Sequence, residues 1–256
     1  VKAFYLFLSI IVPLTVGAQN TNSEKLQQEQ PLNLNQLHKE FKDQQRERIK
    51  ELKPKAERGD AAAQCELGQL LLYQETFEPP KPVEPNPEGI KWLRKAAEQG
   101  SLQAQLDLAN LLRFSPDTET EAVKWLRAAA DQGAAQAQYD LGVCYEQGEI
   151  VPKDYPEAAK LYLQAAEQGH QFAQTRLVEL YSEGKGVPRS LKEAYVWNFI
   201  SNVCGGSRLL RETEILSLPQ KNEEKLSGDE LEDAQKEAMR RLVEIAEKIN
   251  ATGTAN

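Results

Sequence analysis

The stretch AAQAQYDLGVCYEQGEIVPKDYPEAAKLYLQAAEQG, residues 134–169, decides how this chain is built. In its first half Ala137, Leu141 and Tyr145 stand four residues apart, a spacing that puts them on one stripe of a helix. In its second half Leu161 and Ala165 repeat that spacing before Gly169 closes the segment. Asp154 followed by Pro156 offers a capping side chain and a proline in the first helical turn, so a second helix starts there. The segment predicts two helices joined by a turn. The closing glycine ends the second helix, because a left-handed backbone carries no Cβ penalty at Gly.

Working outward, the same pattern recurs along most of the chain. KAERGD (55–60), KAAEQGS (95–101), AAADQGA (128–134) and QAAEQGH (164–170) are one motif in four copies, with a degraded fifth in ISNVCGG (200–206). The spacings between Gly59, Gly100, Gly133, Gly169 and Gly205 are 41, 33, 36 and 36 residues. After each of the first four glycines come Ala63-Gln64, Ala104-Gln105, Ala137-Gln138 and Ala173-Gln174, followed in register by Leu67, Leu108, Leu141 and Leu177. Eight residues before each later closing glycine stands Trp92, Trp125, Leu161 or Trp197, so every tryptophan occupies one slot. A shared slot makes them core, where a large ring fills the gap between neighbouring helix pairs and small alanines let helices approach.

In this register, repeat 1 is 60–100, repeat 2 is 101–133, repeat 3 is 134–169 and repeat 4 is 170–205. Repeat 1 contains a proline-rich insertion, 75–86, whose Pro79, Pro80, Pro82 and Pro85 exclude a helix. Asp60 and Ser101 are positioned to cap the helices that follow, and Ser115-Pro116 to open the second helix of repeat 2. A leading amphipathic helix is expected over 35–59, with Leu37, Phe41, Ile49 and Leu52 on its apolar side and His38 on its polar side. Residues 206–250 are expected to form a partial repeat, with Arg208–Leu218 as its first helix, and a carboxy-terminal cap. That cap opens with the capping box of Ser227 and Glu230 and carries the stripe Leu231, Ala234, Ala238, Leu242, Ile245 and Ile249. Residues 251–256 are expected to be a disordered tail.

Residues 1–18, VKAFYLFLSIIVPLTVGA, place Lys2 before a short apolar run that ends in small residues. That is the layout of a secretory signal peptide cleaved after Ala18, too short and too interrupted by Pro13 for a spanning helix. The expectation is export, to the periplasm or the cell exterior, with no membrane attachment after cleavage and with 19–34 as a polar linker.

These residues resemble the Sel1-like repeat, a relative of the tetratricopeptide repeat. Its first helix reads approximately A-x-x-x-L-G-x-x-Y and its second A-x-x-W-[YL]-x-K-A-A-x-x-G. Repeat 3 carries the pattern in Ala137, Leu141-Gly142, Tyr145, Gly148, Ala158, Leu161-Tyr162, Ala165-Ala166 and Gly169. Repeat 4 carries it in Ala173, Leu177, Tyr181, Gly184, Ala194, Trp197 and Gly205. Ala109 and Val178 replace the glycine of Leu-Gly, and Gly89 replaces the alanine near Trp92. The resemblance implies an all-α, right-handed α-solenoid of about four helix-turn-helix repeats with helical caps. It also implies protein–protein interaction as a scaffold or adaptor, without intrinsic catalytic residues. A cysteine-rich bacterial branch of the family pairs thiols within each repeat and is linked to penicillin binding, which makes a β-lactamase-like cell-envelope hydrolase the alternative. Cys65, Cys144 and Cys204 do not recur at one repeat position, so free thiols are expected.

Composition narrows the partner. Lys plus Arg total 31 against 39 Asp plus Glu, a net charge of −8, which argues against nucleic acid. Three cysteines and two histidines without CxxC or HxxxH spacing supply neither a metal site nor a cofactor site. His170 follows Gly169 at a capping slot rather than in a catalytic arrangement. A partner protein or peptide is expected on a concave wall lined by first-helix positions that the packing signature leaves free. These are Gln103, Asn110, Arg113, Gln136, Tyr139, Glu146, Phe172, Thr175 and Glu179.

Overall fold

The computed structural model describes residues 34–72, 85–113, 117–204 and 226–253, and every regular element among them is a helix. The chain divides into two compact units, 1–48 and 49–256. The described part of the first is the opening of α1 (Leu34–Glu57), where Arg46 pairs with Asp43 at 3.3 Å. The second holds the end of α1 and the repeats. Repeat 1 comprises α2 (Ala61–Leu72) and α3 (Pro87–Glu98), and repeat 2 α4 (Leu102–Leu112) and α5 (Glu119–Asp131). Repeat 3 comprises α6 (Ala135–Gln147) and α7 (Tyr155–Ala166), and repeat 4 α8 (Gln171–Glu183) and α9 (Leu191–Cys204). The last helix is α10 (Gly228–Gly253). From α2 to α10 each helix packs on the next in chain order, giving an all-α repeat solenoid.

The core is the predicted stripe. Ala63, Ala104, Ala137 and Ala173 are buried, as are Leu67, Leu108, Leu141 and Leu177 and the slot residues Trp92, Trp125, Leu161 and Trp197. Glu121 receives Trp125 Nε1 at 3.2 Å and the Arg94 guanidinium at 2.8 Å through both Nε and Nη2, tying α3 to α5.

The first four closing glycines sit in the left-handed region, with φ of +97° at Gly59, +89° at Gly100, +87° at Gly133 and +85° at Gly169. The glycine N–H donates to the carbonyl three residues back, and the next N–H to the carbonyl five back, as in Ala134 N–H to Ala129. This is the Schellman arrangement that satisfies the last carbonyls of a helix. The same carbonyls also receive the recurring glutamines: Gln64 Nε2 donates to Ala56 at 2.9 Å, Gln105 to Ala97 at 3.1 Å, Gln138 to Ala130 at 3.4 Å and Gln174 to Ala166 at 3.1 Å.

Helix starts follow the expected chemistry with two differences. Asp60 accepts from Ala62 and Ala63 N–H, Ser101 from Ala104 N–H and Asp154 from Glu157 N–H. In repeat 2, α5 opens at Glu119 after Thr118 instead of at Ser115-Pro116; the Thr118 hydroxyl donates to the Leu112 carbonyl at 2.7 Å, fastening the turn to the end of α4. In repeat 1, Asn86, assigned to the insertion, is the cap of α3, accepting from Glu88 N–H at 2.9 Å with Pro87 beside it. The rest of the insertion through residue 84 lies outside the described residues, as do the 208–218 helix, residues 1–33 and Ser115-Pro116.

The Ser227 and Glu230 side chains form a reciprocal capping box, Glu230 accepting from Ser227 N–H at 2.9 Å and donating its own N–H to Ser227 Oγ at 3.4 Å. Ala234, Ala238 and Ile245 of α10 are buried, whereas Ile249 is largely exposed. Arg241 forms a two-point ion pair with Glu193 at 2.8 and 3.0 Å, and Lys248 pairs with Glu167 at 3.1 Å. The helix continues to Gly253, three residues into the expected tail, so 251–253 are helical.

Candidate functional site

Three of the predicted wall residues meet around a fourth side chain that sequence reasoning assigned to capping alone. The imidazole of His170 stacks on Tyr139, with centroids 4.7 Å apart and planes 26° off parallel. Phe172 lies 6.1 Å from both rings, and Tyr139 leans on Tyr162 at 5.7 Å. Gln136 closes the group, its Oε1 lying 3.1 Å from His170 Nε2.

The repeat geometry produces this cluster. His170 is the residue after Gly169 and caps α8, its Nδ1 accepting the Ala173 N–H at 3.3 Å. Phe172 is two residues on, in the first turn of α8. Gln136 and Tyr139 are on the first two turns of α6, the corresponding helix one repeat earlier. Stacking equivalent helices therefore brings these side chains side by side. Phe172 is 66% exposed, whereas Tyr162 on the other side of Tyr139 is fully buried, so the patch runs from the core out to solvent.

Polar groups frame it. Asp140 accepts from Gln136 Nε2 at 3.0 Å and lies 3.7 Å from the Arg113 guanidinium. Arg176 pairs with Glu179 at 2.7 Å, and Thr175 Oγ1 is 3.3 Å from Ser201 Oγ. Burial is the largest influence on His170 and lowers its pKa from the usual 6.5, against the opposing pull of Asp140.

The remaining wall residues are differently engaged. Gln103 is exposed and donates to Asp107 one turn on in its own helix, at 2.9 Å. Asn110 is exposed on α4. Glu146 accepts the Tyr162 hydroxyl at 2.6 Å, a bond that joins α6 to α7 and, with burial, pushes the Tyr162 phenol well above its ordinary range. Tyr139 is half-buried, so the packing uses it in part, contrary to its expected dispensability. Sequence reasoning missed Asp140, Arg176 and Ser201 in the frame. The available signal was His170, an aromatic at a capping slot two residues before an exposed phenylalanine.

Both nitrogens of His170 are engaged, by Gln136 and by the α8 backbone, so neither is directed at a nucleophile. Burial raises the pKa of Cys65 and of Cys144, which keeps both thiols protonated and weakly reactive. Both are free, Cys65 buried and Cys144 half-buried. No described helix is long and apolar enough to cross a membrane.

Comparison with known proteins adds a family pattern. The Sel1 repeat matches at residues 61–101, 103–133, 135–170 and 171–197. A solved structure of a protective antigen present in uropathogenic Escherichia coli strains, displaying an SLR fold, is 30% identical with a TM-score of 0.58 over 81% of this chain and 43% of that one. A Sel1 repeat protein from Oxalobacter formigenes is 30% identical with a TM-score of 0.50, over 63% of this chain and 46% of its own. The chain thus spans under half the length of either protein. No curated protein sequence matches it.

Proposed function

We propose, for a chain that belongs to the Sel1 repeat family, a non-enzymatic scaffold that holds a partner protein or its peptide segment against the Tyr139–His170–Phe172 surface. Sel1 repeat proteins generally mediate protein–protein interaction, and this reading gives that role a location. The observation that carries it is Phe172, a large apolar side chain left 66% exposed at a first-helix position the repeat does not need for packing. An aromatic anchor with a half-buried aromatic beside it and hydrogen-bonding groups around it is the usual composition of an interface centre. The signal-like residues 1–18 support placing the scaffold outside the cytoplasm.

The test is affinity capture with wild-type bait beside Phe172→Ala bait, each checked by thermal melting. Loss of a partner at unchanged melting temperature supports the surface. Equal capture by both baits rejects it.

A further inference from the structure

We infer that His170 makes the Tyr139–Phe172 surface proton-sensitive: the neutral imidazole holds the two rings in the arrangement described, and protonation at Nδ1 releases it. The inference rests on reading that surface as the partner-binding face and adds how it is regulated.

A chain of hydrogen bonds fixes the tautomer. The Asp140 carboxylate only accepts, so Gln136 must turn its Nε2 toward it, at 3.0 Å. Flipping the amide would set two oxygens against each other. Gln136 Oε1 is left facing His170 Nε2 at 3.1 Å, and an amide oxygen likewise only accepts. Nε2 therefore carries the ring proton, and Nδ1 keeps the lone pair that takes the Ala173 N–H at 3.3 Å. One ring arrangement serves the relay from Asp140, the cap of α8 and the stack on Tyr139.

A second proton has one place to go, Nδ1. Once there, its N–H opposes the Ala173 N–H, and two donors face each other across the cap. The ring must turn or the first turn of α8, which carries Phe172, must open. Either way both aromatic contacts change, because Tyr139 and Phe172 touch the same imidazole. Among the charged groups on the elements around the ring, Asp140 of α6, paired with Arg113 at the end of α4, acts on it directly; α6 also carries Glu146, α8 carries the Arg176–Glu179 pair, and Glu167 just after α7 pairs with Lys248 of α10. Asp140 favours the imidazolium, and the Tyr139 ring face attracts it as well, while burial opposes it and is the larger influence. The switch therefore operates on the acid side of neutrality.

Nitrogen-15 and ring-proton NMR on the intact chain, from about pH 8 to about pH 5, tests this across the range where histidine titrates. His38, the other of the two histidines, is assigned with a His38→Asn variant. At the alkaline end His170 is expected to show a bare Nδ1 and a protonated Nε2. Its titration midpoint should fall below 6.5, and the Tyr139 and Phe172 ring resonances should move with that midpoint. In His170→Asn, which keeps a capping side chain but does not titrate, those resonances should hold still. A protonated Nδ1 at the alkaline end, or ring resonances indifferent to the His170 titration, overturns the inference. If the rings follow His170 while Phe172→Ala captures partner normally, the switch stands and the binding-face reading fails.

Discussion

Gln168 Nε2 donates to Gln138 Oε1 at 2.8 Å, joining two glutamines 30 residues apart inside the repeat stack. Gln138 passes the connection on, donating to the Ala130 carbonyl at the end of the preceding helix. The same pairs recur as Gln99 to Gln64 at 2.7 Å and Gln132 to Gln105 at 2.8 Å. Gln99, Gln132 and Gln168, each just before a closing glycine, thus find the buried glutamine on the first helix of the same repeat. The series ends at Gln174, fully buried, whose Oε1 has no hydrogen-bond partner among the described residues. The residue before Gly205 is Cys204, where the three preceding copies have Gln99, Gln132 and Gln168.

This asymmetry predicts unequal costs. Gln138→Met should cost ~1–3 kcal/mol, since it abandons two hydrogen bonds, the buried one to the Ala130 carbonyl and the one from Gln168. Gln174→Met should cost less, because it gives up one bond and removes an acceptor that already lacks a partner. Urea-unfolding midpoints of the two variants check the order; equal losses would count against the ladder.

Glycine substitutions separate backbone strain from close approach. A Cβ at Gly133 would meet nothing within 4 Å, so Gly133→Ala should lose only the left-handed preference, ~1–2 kcal/mol. A Cβ at Gly186 would lie 2.3 Å from the Tyr155 carbonyl carbon and oxygen, where backbone cannot yield cheaply. Gly186→Ala should therefore show the larger fall in melting temperature.

Trp125→Ala should destabilise by ~3–5 kcal/mol, the range for deleting a buried aromatic. That loss is comparable with the whole stability of many domains, ~5–15 kcal/mol. A calorimetric melt within a degree of wild type would contradict the core assignment of this slot.

Acid should weaken the fold in two windows. The folded-state pKa of His170 lies below its ordinary 6.5, so the unfolded chain takes up that proton first. Stability is then whole above about 6.5 and declines as pH falls from there to the folded value. Arg94 holds the Glu121 carboxyl below its ordinary 4.5, so that contribution is present above 4.5 and lost as pH falls through the depressed value. Both groups are partly solvated, and each effect should be modest. Melting curves of His170→Asn should lack the first window and keep the second.

The Ala, Leu and Trp stripes were legible because helix packing imposes a period that sequence must repeat, and each landed in the core. The glutamines were equally visible as recurring letters, but their pairing was not, since it spans about thirty residues and two helices. Arg241 to Glu193 was beyond the pattern altogether: α10 supplies from outside the repeat register the guanidinium that Arg94 gives Glu121. The site was half legible. Tyr139 and Phe172 stood out as aromatics free of the signature, while His170 looked complete as a cap because its second face is set by stacking on α6.

The central claim is that Phe172 touches a partner. The most direct measurement replaces Phe172 with a photo-crosslinking phenylalanine in the cells that make the protein, beside the same replacement at Lys160, an exposed site on α7. The account predicts a discrete crosslinked partner from position 172, reduced by Thr175→Arg alongside, and none from position 160. A partner trapped equally at both positions, or at 160 alone, would contradict it.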